Sequence, residues 1–194
     1  MTLASVPYGD SSVPIPQEHQ NRRASGVPVP QIPLVGMGFD AHRFAKDARP
    51  LWLACLKWEG IGIEGDSDGD VAAHALIDAL LSAAGLGDIG TLFGVGADSA
   101  GAGAHGTDML RTTSDTLREH GFKPLNASVV VIGNRPKMSA NREQAQRAMS
   151  QAAGCPVSIT ATTTDGMGFT GAGEGLAAMA TALVIKCDNP GSIV

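Results

Sequence analysis

Asp70-Val71-Ala72-Ala73-His74-Ala75-Leu76-Ile77-Asp78-Ala79-Leu80-Leu81-Ser82-Ala83-Ala84 reads as a helix that is apolar on almost every side. Its polar residues, Asp70, His74, Asp78 and Ser82, fall four apart and so form a single stripe along it. Ser67 and Asp68 stand before it as candidate caps, and Gly85 closes it. A helix this apolar is buried, and a stripe of carboxylates and an imidazole inside a core needs pairing, hydrogen bonds or a metal. For His74 taken alone, a satisfied core histidine is the plain alternative.

Working outward, residues 34–39 read as a first strand and 50–54 as a short second one. Residues i and i+2 of a strand share a face, so Asp40 and His42, just beyond the first, project together. With His74 they would form a two-histidine, one-carboxylate set with a fourth position open, as in catalytic zinc sites. Downstream, 107–120 is helical and closed by Gly121, and the β-branched run at 126–132 is a strand. Ser139 is a candidate cap for a helix ending at Gly154, and Val157, Ile159, Ala161 and Thr163 alternate as a half-buried strand does. Residues 176–186 stay open: the alanines favour helix, the closing Leu183-Val184-Ile185 favours strand. Strands interleaved with helices argue an α/β or α+β domain with helices covering one face of a sheet.

Composition narrows the function classes. The 194 residues are 43% hydrophobic, enough for a core, and 14 basic against 19 acidic residues give a net charge of −5. With no basic run, nucleic acid and anionic membranes are poor partners, and no stretch approaches the ~20 apolar residues of a spanning helix. The cysteines Cys55, Cys155 and Cys187 make no C-x-x-C pair, which fits thiols in a reducing cytoplasm. Residues 1–33 hold Pro7, Pro14, Pro16, Pro28, Pro30 and Pro33 among serines and a polar run, and are expected to be a flexible extension. The folded domain is expected at 34–188, with 189–194 as a tail.

Two further segments could bind a ligand. In residues 162–175 (TTTDGMGFTGAGEG), glycines let backbone N–H groups crowd an anion and threonines add donors, without the G-K-[ST] of a P-loop. A long turn between strands explains it equally well. Asn134-Arg135-Pro136-Lys137-Met138 follows a strand and precedes a helix, where ligands often bind, or is an ordinary connection.

These pieces, in this order, resemble the 2-C-methyl-D-erythritol 2,4-cyclodiphosphate synthase family from about Leu34 to Lys186. The resemblance rests on Gly38-Phe39-Asp40-Ala41-His42, on residues 67–76 (SDGDVAAHAL), on Leu86-Gly87-Asp88-Ile89-Gly90 and on residues 161–175. It implies a homotrimer with active sites between subunits, each subunit a four-stranded mixed sheet with helices on one face. It implies cyclisation of 4-diphosphocytidyl-2-C-methyl-D-erythritol 2-phosphate, a nucleotide diphosphate, with release of CMP. Carried over, Asp40, His42 and His74 would bind one zinc ion per subunit, and Asp165 a magnesium or manganese ion where the family usually has Glu. Thr163 matches the catalytic residue that steadies the transition state. Ser67, Asp88, Gly90, Thr164 and Phe169 match substrate contacts, and Gly133, Pro136, Lys137, Met138 and Thr162 fall in the cytidine-pocket stretches. Two positions depart. Asp66 stands at a catalytic position where the family has a histidine, and Ala172 where it has an arginine. Both remove positive charge near a diphosphate, which keeps a second reading open: a diverged paralogue binding another nucleotide or isoprenoid diphosphate.

Overall fold

A computed structural model describes residues 31–96 and 98–187. The chain divides after Ile32, and the fold described belongs to the second unit. The expected extension at 1–33, apart from 31–33, and the tail at 189–194 lie outside the described residues.

Strand β1 (Leu34–Arg43) alternates as a half-covered strand should, with Gly36 and Gly38 buried and Val35, Met37 and Phe39 exposed. Its partner β6 (Gly175–Lys186) is the segment left open by sequence. Antiparallel ladders to β1 on one side and to β4 (Phe122–Ile132) on the other outweigh the helix preference of its alanines. β5 (Val157–Thr162) adds a parallel pair to β4, giving the order β1-β6-β4-β5, a mixed four-stranded sheet as expected. β4 starts earlier than the β-branched run, because its register shifts between Pro124 and Asn126 and the Phe122 end still pairs.

Helix α1 (Val71–Ala84) lies on β1 and β6 and is buried almost throughout. Gly36 and Gly38 explain how closely it sits: a Cβ on Gly36 would run into the Ala79 carbonyl and the Ala83 amide, and one on Gly38 into the Ala75 carbonyl. Ala75, Ala79 and Ala83 supply the matching small surface on the helix. Helices α3 (Gly106–Glu119) and α4 (Arg142–Ala153) complete the layer. The other sheet face stays uncovered in the single chain, exposing Val35, Met37, Phe39 and Met179. Two short helices were not foreseen, α2 (Ile89–Phe93) and α5 (Gly168–Gly171). No helix among the described residues is long and apolar enough to cross a membrane.

The capping expectations need correction. Asp70, and neither Ser67 nor Asp68, caps α1, accepting from the amides of Ala72 and Ala73 at 3.1 Å each. Both its oxygens also accept from Ala54 and Cys55 at 2.7 Å. Those residues form the left-handed two-residue turn (φ 53° and 61°) between β2 (Leu51–Leu53) and β3 (Leu56–Trp58). One fully buried carboxylate thus ties a hairpin to a helix start. Ser139 does not cap α4: residues Met138–Ala140 make a 3-10 turn first, and Asn141 takes the boundary. Gly154 ends α4 in the left-handed conformation, as read.

Asp70→Ala should destabilise the fold by about 3–5 kcal/mol, because the Ala54 and Cys55 amides lose buried partners as the cap is lost. Urea denaturation of the variant checks this; a change below about 1 kcal/mol would contradict the account.

Candidate metal centre and ligand loops

Asp40 and His42 sit on the α1-facing side of β1, and His74 projects from α1 toward them. The close helix–strand approach brings Asp40 Oδ2 to 2.9 Å from His74 Nδ1 and 3.1 Å from His42 Nε2. The two imidazole rings meet edge to face, with centroids 5.7 Å apart. Asp40, His42 and His74 form a group whose ligand atoms all lie within 4.8 Å of one another. His74 is only 6% exposed, so the cluster has one buried wall and an open side through Asp40 and His42.

The donor set suits a cation. Ser67 Oγ lies 3.0 Å from His74 Nε2 and accepts the Gly69 amide at 3.3 Å. A hydroxyl can take either role toward the ring. When Nε2–H donates to Ser67, the Nδ1 lone pair faces the Asp40 carboxylate, and only a proton or a metal ion between them removes the repulsion. Two imidazole nitrogens and one carboxylate oxygen, with the ring orientation fixed from behind, are ligands a zinc-like ion accepts.

Electrostatics at the cluster run both ways. Burial pushes the Asp40 carboxyl up, but hydrogen bonds from His42 and His74 outweigh it and hold the group well below the usual carboxylate range. Burial draws the His74 imidazole down, but the Asp40 hydrogen bond and charge outweigh it and set it above its ordinary 6.5.

The second group of expected residues gathers at the carboxyl ends of the parallel pair β4 and β5. Thr162 ends β5 opposite Ile132, and the Gly133 amide donates to the Thr162 carbonyl at 3.0 Å. Thr163 Oγ1 donates to Asp165 Oδ1 at 3.2 Å, with Asp165 itself left-handed at φ 50°. Thr164 Oγ1 donates to the Met167 carbonyl at 2.6 Å and lies 3.0 Å from Thr170 Oγ1, which closes the turn before α5 and its half-exposed Phe169. Pro136 follows a cis bond, Lys137 precedes the 3-10 turn, and Met138 is buried. Asn134 Nδ2 donates to the Gly171 carbonyl at 2.7 Å, and the Arg135 guanidinium stacks 4.5 Å above the Phe44 ring. Neither contact was foreseen, since a hydrogen bond or stack across some forty residues or more leaves no local signal. Among the described residues, no hydrogen bond or ion pair joins Thr163 or Asp165 to the Asp40 cluster.

A third group frames α2. Asp88 caps it, accepting from the Thr91 amide at 2.7 Å, and Gly90 lies inside it. Asp66, at the catalytic position of the resemblance, accepts from the Gly96 amide at 3.0 Å. Ala172 ends α5 and offers no charge.

Fold and site together define an α/β protein with a two-histidine, one-carboxylate candidate metal centre beside threonine- and glycine-rich ligand loops. The chain belongs to the YgbB family, whose profile matches residues 34–185. It is 60% identical over 167 residues to a 2-C-methyl-D-erythritol 2,4-cyclodiphosphate synthase of Bifidobacterium longum subsp. infantis, covering 79% of this chain and 96% of that one. Identity to the synthase of Acidothermus cellulolyticus is 49% over 154 residues, covering 79% and 94% of the two chains. A synthase structure with CDP bound superimposes with a TM-score of 0.69 at 36% identity, over 77% of this chain and 99% of that one. The bifunctional IspDF of Campylobacter jejuni gives a TM-score of 0.76 at 34% identity, over 82% of this chain and 44% of the longer one.

In metal-free protein the Asp40–His74 pair should stabilise the fold fully below the unfolded imidazole value of about 6.5 and fade as pH rises through the raised folded value. On the acid side it requires pH above the unfolded carboxyl value, about 3.9, and is lost toward the depressed folded value. Thermal melts between about pH 5 and 9 should therefore show chelated protein losing melting temperature relative to zinc-loaded protein as pH rises. Parallel curves would contradict this ligand assignment.

Proposed function

We propose that the chain cyclises 4-diphosphocytidyl-2-C-methyl-D-erythritol 2-phosphate to 2-C-methyl-D-erythritol 2,4-cyclodiphosphate and releases CMP. The observation that carries the reading is the cluster of Asp40, His42 and His74 at 2.9–3.1 Å in a chain 60% identical to a synthase. In this reaction an oxygen of the substrate's 2-phosphate attacks the β-phosphorus, and the bond from that phosphorus to the CMP oxygen breaks. The protein needs no nucleophile of its own; it must align two phosphates and neutralise their charge.

Asp40, His42 and His74 would hold zinc, which when bound polarises a phosphate oxygen. Ser67 keeps the His74 ring oriented by its contact at Nε2. Asp165 would hold a magnesium or manganese ion together with the substrate's phosphates, and Thr163, hydrogen-bonded to it, steadies the transferring group. Gly133, Pro136, Lys137, Met138 and Thr162 would form the cytidine pocket, Thr164 and Phe169 would touch the substrate, and Asp88 and Gly90 would take the methylerythritol hydroxyls. The absence of direct contacts between the two groups within the described chain fits an active site completed by a neighbouring subunit. The uncovered apolar face bearing Val35, Met37, Phe39 and Met179 supports that assembly, a homotrimer.

Asp66 and Ala172 favour the second reading, a paralogue for another nucleotide or isoprenoid diphosphate, since neither supplies the positive charge a diphosphate attracts. CMP release by zinc-loaded protein with added magnesium distinguishes the two. Turnover by the parent, reduced at least ~100-fold in Asp40→Ala and in His74→Ala, is the expected result. A silent parent beside an active Asp66→His/Ala172→Arg double variant would replace it with the second reading.

A further inference from the structure

Helix α2 has five residues, too few to hold a helical shape or a position by its own hydrogen bonds. Its placement is set from outside, at both ends. At the start, Asp78 of the α1 stripe accepts the Ile89 amide at 2.8 Å. At the far end the chain turns through Gly94 (φ 76°), whose amide bonds the Gly90 carbonyl at 2.9 Å, and reaches Gly96, whose amide donates to Asp66 Oδ2 at 3.0 Å. The Asp66 carbonyl accepts a second bond, from Gly103 at 2.8 Å, so the return of the same loop is fastened to the same residue. Asp88 stands immediately before the first fastened residue, and Gly90 lies between the two, with the Val95 side chain against it: a Cβ on Gly90 would sit 3.4 Å from Val95 Cγ2. Next along the chain, Ser67 touches His74. Adjacent residues therefore hold the metal ligand and the end of the α2 turn.

We propose that Asp66 is a positioning residue: by accepting the Gly96 amide it sets the distance between α2, with Asp88 and Gly90, and the Asp40–His42–His74 cluster. This deepens the proposed function and rests on it, because what is being positioned is the polyol end of the substrate relative to its phosphates. The role requires an acceptor oxygen at residue 66 and no negative charge. It also explains how a carboxylate is tolerated there, since its Oδ2 is engaged with the loop.

The test compares Asp66→Asn with Asp66→Ala in the metal-loaded full chain. An amide oxygen can replace the carboxylate oxygen as acceptor, whereas alanine cannot. Asp66→Ala should raise KM for the diphosphocytidyl substrate about tenfold with kcat changed less than about threefold, the pattern of lost substrate positioning. Asp66→Asn should recover most of that loss. Amide hydrogen exchange at Gly96 should quicken in Asp66→Ala and stay near the parent's in Asp66→Asn. Equal losses of kcat in both variants would overturn the proposal in favour of a charged catalytic role. An Asp66→Ala enzyme with parental KM and parental exchange at Gly96 would overturn it in favour of no role. The exchange measurement separates this inference from the function beneath it. If the parent releases no CMP, the proposed reaction fails, while the exchange rates still report whether Asp66 holds the turn.

Discussion

The structure depends on the direct approach of one helix backbone to one strand backbone. Gly36 and Gly38 give β1 no side chains where α1 crosses it, and the helix meets them with alanines. A larger residue at either glycine would push the two elements apart by more than a hydrogen bond can stretch. Asp40 on the strand and His74 on the helix would then no longer meet at 2.9 Å. The candidate metal centre is thus a consequence of packing: its ligands lie 34 residues apart in sequence and touch because the residues beside them are small.

Carboxylates do much of the remaining organisation. Asp70 joins a hairpin turn to the start of α1, Asp68 accepts the first amide of α3 at 2.9 Å, Asp78 holds the start of α2, and Asp66 holds the loop that follows it. Each takes its bonds from backbone N–H groups that a helix start or a turn leaves without partners. Such bonds are stronger than neutral ones because the acceptor is ionised, and they let loops rich in glycine keep definite positions. Four of its acidic residues are thus engaged with the chain's own backbone, while the ligand loops at 133–138 and 162–175 present hydroxyls and amides beside Arg135, Lys137, Asp165 and Glu174. On the proposed function, bound metal and oriented amides would add to the positive charge of Arg135 and Lys137 in the first of these loops.

Much was legible because it was periodic or local. The four-residue spacing of Asp70, His74, Asp78 and Ser82 announced a buried helix with one polar stripe, and every member proved to have a defined contact. The D-x-H step placed Asp40 and His42 on one face by strand geometry alone, and Gly85 and Gly154 ended their helices where glycine permits φ above zero. What misled was local too. Ser67, Asp68 and Ser139 have the chemistry of caps, but their neighbours Asp70 and Asn141 took those places once the chain direction was fixed.

The amino-acid sequence by itself determined the α/β class, the central helix and the side chains of the candidate metal centre, because these follow from periodicity and residue chemistry within a few positions. The tertiary structure alone decided that residues 176–186 form a strand, since pairing on both edges overrides the preference of alanine. It alone decided that Asp66 turns to Gly96, and that Arg135 stacks on Phe44. Those choices depend on partners brought close only by the folded chain, and no pattern along the sequence encodes which distant amide or ring will be nearest.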